Sequence, residues 1–329
     1  MNASADGLDP AQVARELDAF ILHAVGAAGG DTRAVRPGHR VKFHWPPHPV
    51  SYEYHVLPSD WKGKAELEDS GERFEVDVAV TPWGTFGRCD ALWLEARGDD
   101  VPLMLRNLGQ AAQPLLKRQR LIAATLGREG RFTESVRDLA PVDLLKLLYC
   151  QDRDVANDAR EAIETHEHAK AFLPGLMHVL NDRRHPYRRS AQWCVLDLFE
   201  DLPSFLRAPE QAPGPIEAIQ RLIWEAEDDY ARTIYKAGVV LGGHLAHLGG
   251  GEALLECLSS PSRFGRRSAI HGLFHVVEWL PDLRARVVAA LRACSDREEI
   301  PDLRDFARDM ARDIGAGADR KSTRLNSSH

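Results

Sequence analysis

Cysteine is scarce in this chain, and no cysteine stands where it would do chemistry. The five, Cys89, Cys150, Cys194, Cys257 and Cys294, are widely spaced over 329 residues and form no CxxC pair. An odd, scattered set makes neither a disulfide framework nor a zinc site, and reads as small core side chains in a reducing compartment. Long apolar runs are missing too. No stretch approaches the roughly 18 residues of a membrane helix, and no basic segment precedes an apolar one at the start, so a cytoplasmic protein is expected. Positive charge is not in excess: 42 Lys and Arg stand against 49 Asp and Glu, a net charge of −7. That balance argues against a general nucleic-acid binder. There is no GxSxG elbow, no GxxxxGK[ST] loop and no GxGxxG between a strand and a helix, and no cofactor is expected.

What is present is a duplication. RRSAQWCVLDLFEDLP, beginning at Arg188, returns 78 residues later as RRSAIHGLFHVVEWLP, beginning at Arg266. Seven positions are identical, and Val195/Leu273, Leu196/Phe274 and Phe199/Val277 stay apolar. Half of that offset is a period typical of stacked helix pairs.

Ahead of the duplication the pattern is mixed. Asp9-Pro10 starts a helix whose apolar stripe is Val13, Leu17, Phe20, Ile21 and Val25. Alternation with period two then marks strands over Val41 to Val56, over Phe74, Val76, Val78 and Val80, and around Cys89 to Ala96. Asp100 caps a helix carrying Leu105, Leu108, Ala112, Leu115 and Leu116. A small antiparallel sheet with both helices packed on it is expected for residues 1–130, with Trp83 and Trp93 packing the sheet. Glu66, Glu68, Glu75 and Asp77 read as the solvated sides of two strands. The order of strands and then a helix opened by Gly98-Asp99-Asp100 and carrying Asn107-Leu108 and Ala111-Ala112 resembles the HicB-like fold of antitoxin proteins, over about residues 64–118. The chain departs from that pattern at Asp100, Pro102 and Leu103.

Glycines and charges interrupt the periodicity between Leu121 and Leu139, where a domain boundary is expected. From Pro141 onward helical segments alternate in about five pairs, to about residue 316. RDVANDARE, from Arg153, and YRRSAQWCV, from Tyr187, resemble the charged turn and the opening of the second helix of HEAT repeats. The fold class is therefore read as an α+β N-terminal domain followed by an all-α HEAT-repeat solenoid. Gly249-Gly250-Gly251 reads as a turn between repeats. The closing DRKSTRLNSSH, residues 319–329, breaks the pattern, resembles a translated sequencing-adaptor read-through and is expected to be non-native and disordered.

Periodicity also assigns faces. Ala191, Cys194, Val195, Leu198 and Leu202 form a core stripe, leaving Trp193, Asp197, Glu200 and Asp201 pointing away. Their counterparts in the second copy are His271, His275, Glu278 and Trp279. The HEAT resemblance implies that both sets face one concave groove, with Lys236, His244 and His247 between them and Glu161 and His168 before them. A tryptophan off the core stripe favours a binding surface. The expected function is a non-enzymatic scaffold or adaptor that binds a protein or peptide in this groove, Trp193 beside Asp197 and Glu200 suiting a cationic or apolar anchor.

Enzyme readings use the same residues. His271, His275 and Glu278, at i, i+4 and i+7, share a helix face and could ligate a metal. HEAT-fold metalloenzymes of the deoxyhypusine hydroxylase type use repeated His-Glu pairs, and this chain has only His166-Glu167. Trp193 and Asp197 resemble the aromatic-plus-carboxylate arrangement of HEAT-like alkylpurine DNA glycosylases. Charge discriminates: a continuous arginine stripe along the groove fits nucleic acid, whereas an acidic, aromatic groove fits a protein or peptide.

Overall fold

A computed structural model describes residues 9–27, 29, 61–201, 213–227 and 231–325. It opens on helix α1, Pro10–Ala27, whose buried residues are Val13, Leu17 and Ile21. The chain divides into two compact units, one from Gly38 to Thr133 and the other joining Met1–Pro37 to Glu134–His329.

The first unit is a four-stranded antiparallel meander, β1 Gly63–Asp69, β2 Glu72–Thr81, β3 Gly84–Cys89 and β4 Leu94–Gly98, followed by helix α2, Val101–Thr125. Phe74, Val76 and Val78 alternate inward from β2, and Met104, Leu108, Ala112 and Leu116 recur every fourth residue along α2, so a strand face and a helix stripe share one core. Asp100 caps α2 as expected, accepting the Leu103 N–H at 2.8 Å. Gly98 lets the helix start against the sheet: a Cβ there would lie 2.3 Å from the Met104 backbone nitrogen.

Several expectations for this unit are corrected. The strand around Cys89 to Ala96 is two strands, because a short 3-10 turn at Asp90–Leu92 and Trp93 in the left-handed region (φ 54°) reverse the chain. Trp83 and Trp93 do not pack the sheet; both sit in hairpin connections and are largely exposed. Alternation in β2 reverses at its end, where Ala79, opposite Phe86, is buried and Val80 is exposed. The strands expected within Val41 to Val56 lie outside the described residues.

The second unit is helical: α3 Pro141–Leu147, α4 Arg153–Glu164, α5 Leu173–Asn181, α6 Arg188–Glu200, α7 Pro213–Trp224, α8 Ala231–Val239, α9 Gly250–Cys257, α10 Arg263–Trp279, α11 Arg284–Arg297 and α12 Pro301–Leu325. A π-turn, Val240–His244, extends α8, and Gly249, at φ 111°, makes the expected turn into α9. Contacts run in two series. Helices α3, α5, α7 and α9 touch in succession, as do α4, α6, α8, α10 and α12, and neighbours in sequence join one series to the other. Alternate helices therefore stack, and each duplicated segment supplies a member of the second series.

Two boundaries differ from the sequence reading. Helix α1 packs on α3 and α5 rather than on the sheet, because its narrow stripe meets the apolar helix faces of the second unit. The domain expected over residues 1–130 therefore loses its first helix. Helix α12 runs on to Leu325, past the point near residue 316 where the last helix pair was expected to end, and 326–329 lie outside the described residues.

The first turn of α6 is unusual in burying polar groups. Arg189 and Gln192 are fully buried, Arg188 almost so, and both guanidiniums reach Glu227, at 3.1 and 3.3 Å. Just before them, His185 packs against the rings of Phe20 and Tyr149, which also touch each other, and its Nδ1 accepts the Tyr187 N–H at 3.0 Å. Burial, and after it the charge of Arg188, pushes its pKa from 6.5 down to about 4. The unfolded imidazole takes up a proton near pH 6.5 that the native one refuses until about pH 4. Stability is thus whole above that window and falls as pH drops through it, by up to ~3 kcal/mol. Urea unfolding at pH 7 and pH 4.5 checks this, and His185→Asn is expected to flatten the dependence.

Candidate functional site

The face assignment made from periodicity holds. Ala191, Cys194, Val195 and Leu198 are buried, while Trp193, Asp197 and Glu200 are half-buried and Asp201 is exposed; Leu202 lies outside the described residues. In the second copy Val276 is fully buried, His271 and His275 are half-buried, Glu278 is exposed, and Trp279 is 67% exposed. The burial stripe repeats because the two segments occupy equivalent places in the second series of helices.

Trp193 is not the free aromatic that the sequence suggested. Arg153 from α4 and Lys236 from α8 stand over its ring, at 5.7 and 4.7 Å from the centroid. Lys236 in turn contacts Asp197 and lies 2.8 Å from Glu200. The two carboxylates expected to receive a cationic anchor are thus met by a cation of this chain. A glycosylase-type role for Asp197 would need that carboxylate free to face a cationic sugar, and the ammonium group occupies its approach.

A second cluster sits one helix further on. The Tyr235 ring stacks on His271 at 4.2 Å, His271 Nε2 lies 3.3 Å from His275 Nε2, and His275 Nδ1 lies 3.0 Å from Glu278 Oε2. Burial first, then His275 and Arg267, pushes the His271 pKa down to about 4, so the ring stays neutral. The metal reading of His271, His275 and Glu278 is not supported by this geometry, since Glu278 binds the far nitrogen of His275. Among the described residues no group of three such side chains is placed to hold a metal.

Between the clusters lies a pocket of about 560 Å³ lined by Trp193, Arg232, Tyr235, Lys236, Val239, Phe264 and Arg267. It spans α6, α8 and α10. Three rings and Val239 make its walls mostly apolar, and the volume falls in the range typical of small-ligand or side-chain sites. The thiol of Cys194, next to Trp193 in α6, is buried, and desolvation pushes its pKa up to about 12, which leaves it without nucleophilic character.

The structure therefore joins Trp193, Asp197, Glu200 and Lys236 in one cluster and His271, His275 and Glu278 in another. His244 and His247 are exposed at and just beyond the π-turn, and Glu161 is paired with Arg160 on the exposed side of α4. Sequence reasoning missed Arg153, Arg232, Tyr235, Phe264 and Arg267. Helical spacing held the signal: 232, 235 and 239 on α8, and 264, 267 and 271 on α10, continue the open face of α6.

No family model, curated protein or solved structure matches the chain.

Proposed function

We propose that the helical unit is a HEAT-type array acting as a non-enzymatic interaction module that binds a protein or peptide segment. The contact surface on this reading is the face shared by α6, α8 and α10. The observation that carries it is the aromatic pocket bounded by Trp193, Tyr235 and Phe264, set between the stacked helices of one series. Buried aromatic anchors with charged neighbours are the common currency of binding hot spots. Trp279, two-thirds exposed, extends the same helix beyond the pocket.

Charge bears on the nucleic-acid alternative. Arg153, Arg232 and Arg267 do not form a continuous stripe, because the open face of α6 carries Trp193, Asp197, Glu200 and Asp201, while Arg188 and Arg189 are buried. Affinity purification from the native organism, with wild-type protein and Trp193→Ala side by side, tests the reading. The expected result is a partner recovered with the first and depleted with the second. Equal recovery removes this face from the function.

A further inference from the structure

We infer that the pocket between α6, α8 and α10 takes an acidic peptide segment, with an apolar or aromatic side chain between the rings and a neighbouring carboxylate held by Arg232 and Arg267. The inference rests on the interaction-module reading and reverses the sign of the ligand that the sequence suggested.

The reversal follows from which charges are already compensated. Of the three cations lining the pocket, Lys236 is held by Asp197 and Glu200. Arg232 and Arg267 are both exposed, and among the described residues neither has a carboxylate within ion-pair distance. The Arg267 guanidinium lies over an aromatic face, that of Phe306, at 5.7 Å. Among the described residues, two arginines beside a mostly apolar cavity leave a site whose uncompensated charge is positive, and a forked guanidinium matches a carboxylate in two parallel hydrogen bonds. His271, stacked on the Tyr235 wall, is neutral and adds no competing charge.

The apolar walls decide what accompanies the carboxylate. Tyr235 is 37% exposed and its ring is braced from behind by His271, so its free face is a preset stacking surface. Trp193 is braced by Arg153 and Lys236. Rigid rings lose little conformational entropy when a side chain enters between them. Two arginines are few for a nucleic-acid backbone, whose affinity grows with the number of phosphates neutralised, and the chain as a whole carries −7. An acidic peptide requires only one or two such contacts beside its apolar anchor.

The test uses the full chain and isothermal titration calorimetry with four probes: acetyl-Glu-Asp-Phe-Glu-Glu-amide, the same peptide with alanine for phenylalanine, acetyl-Lys-Lys-Phe-Lys-Lys-amide, and a short oligothymidylate. The acidic phenylalanine peptide is expected to bind most tightly. Its affinity is expected to fall about tenfold or more in Arg232→Ala/Arg267→Ala, and by a similar factor when phenylalanine is replaced. Both arginines are exposed, so the variant is expected to melt with the wild type, and the melt is recorded beside the titration. Undiminished binding to the variant overturns the inference, as does preference for the lysine peptide or the oligonucleotide. If the lysine peptide wins and Tyr235→Ala abolishes its binding, the ligand chemistry is wrong and the interaction module stands. If no peptide binds, or only the oligonucleotide does, both readings fall.

Discussion

Gly242→Ala is expected to destabilise the helical unit by about 3 kcal/mol, lowering its melting temperature by roughly 10 °C. The cause is a crossing of backbones. A Cβ on Gly242 would lie 2.0 Å from the carbonyl oxygen of Gly272, one on Gly272 would lie 2.5 Å from that of Gly238, and one on Gly238 would lie 2.4 Å from that of Ser268. Helices α8 and α10 therefore meet through small residues four apart on each side, with the Ser268 hydroxyl donating to the Ile234 carbonyl at 2.6 Å. Backbone atoms on both sides leave nothing flexible to give way, so the helices must separate along the whole contact. Gly243→Ala is the control: its added methyl finds only the His275 Cβ, at 4.0 Å, and is expected to be close to neutral. Thermal melts of the two variants check the pair.

Arg266→Met is expected to cost about 3–5 kcal/mol, while Arg267→Met next to it changes stability little. Arg266 forms a two-point pair with Glu298, Nε to Oε2 at 2.7 Å and Nη2 to Oε1 at 3.0 Å, and its Nη1 donates to the Ser260 carbonyl at 2.9 Å. Glu298 is buried. Burial works to raise its pKa, but the bonds from Arg266 and the Ile300 N–H outweigh it and hold the carboxyl below its ordinary value. Removing the guanidinium leaves a buried carboxylate facing only backbone donors. Replacing both partners by methionine is expected to cost less than the single change, because no uncompensated charge remains. Urea titrations of the three variants give the comparison.

These two adjacent arginines show how far the sequence could be read. The duplicated Arg-Arg marked equivalent places correctly: Arg188 and Arg266 both tie the start of a helix to a glutamate further along, Glu227 and Glu298. It could not show that their neighbours diverge. Arg189 is fully buried against Gln192, whereas Arg267, whose helix has Ile270 where the first copy has Gln192, stands exposed at the pocket. Amphipathic spacing foresaw an alternation of helical segments from Pro141 onward, because burial on one stripe is a local property of each helix. Which helix touches which is not local, and so α1 went to the wrong unit.

The candidate site was legible to a similar depth. Spacing placed Trp193, Asp197, His271 and His275 on open faces. It gave no means of seeing Lys236 arrive from α8 to meet two carboxylates, or Arg232 and Arg267 come to line the pocket. In the sheet, alternation foresaw Phe74, Val76 and Val78, but not the turn at Asp90–Leu92 that exposes Trp93, where no periodic pattern exists to read.

The central claim is that helix α6 folds through one face and binds through the other. Thermal melts of Leu198→Ala and Trp193→Ala, run beside recovery of the partner, test it most directly. Leu198 is buried in the core, and its truncation is expected to cost about 2–5 kcal/mol. Trp193→Ala is expected to melt close to the wild type while losing its partner. A Trp193→Ala protein that unfolds as readily as Leu198→Ala, or that keeps its partner, would contradict the account.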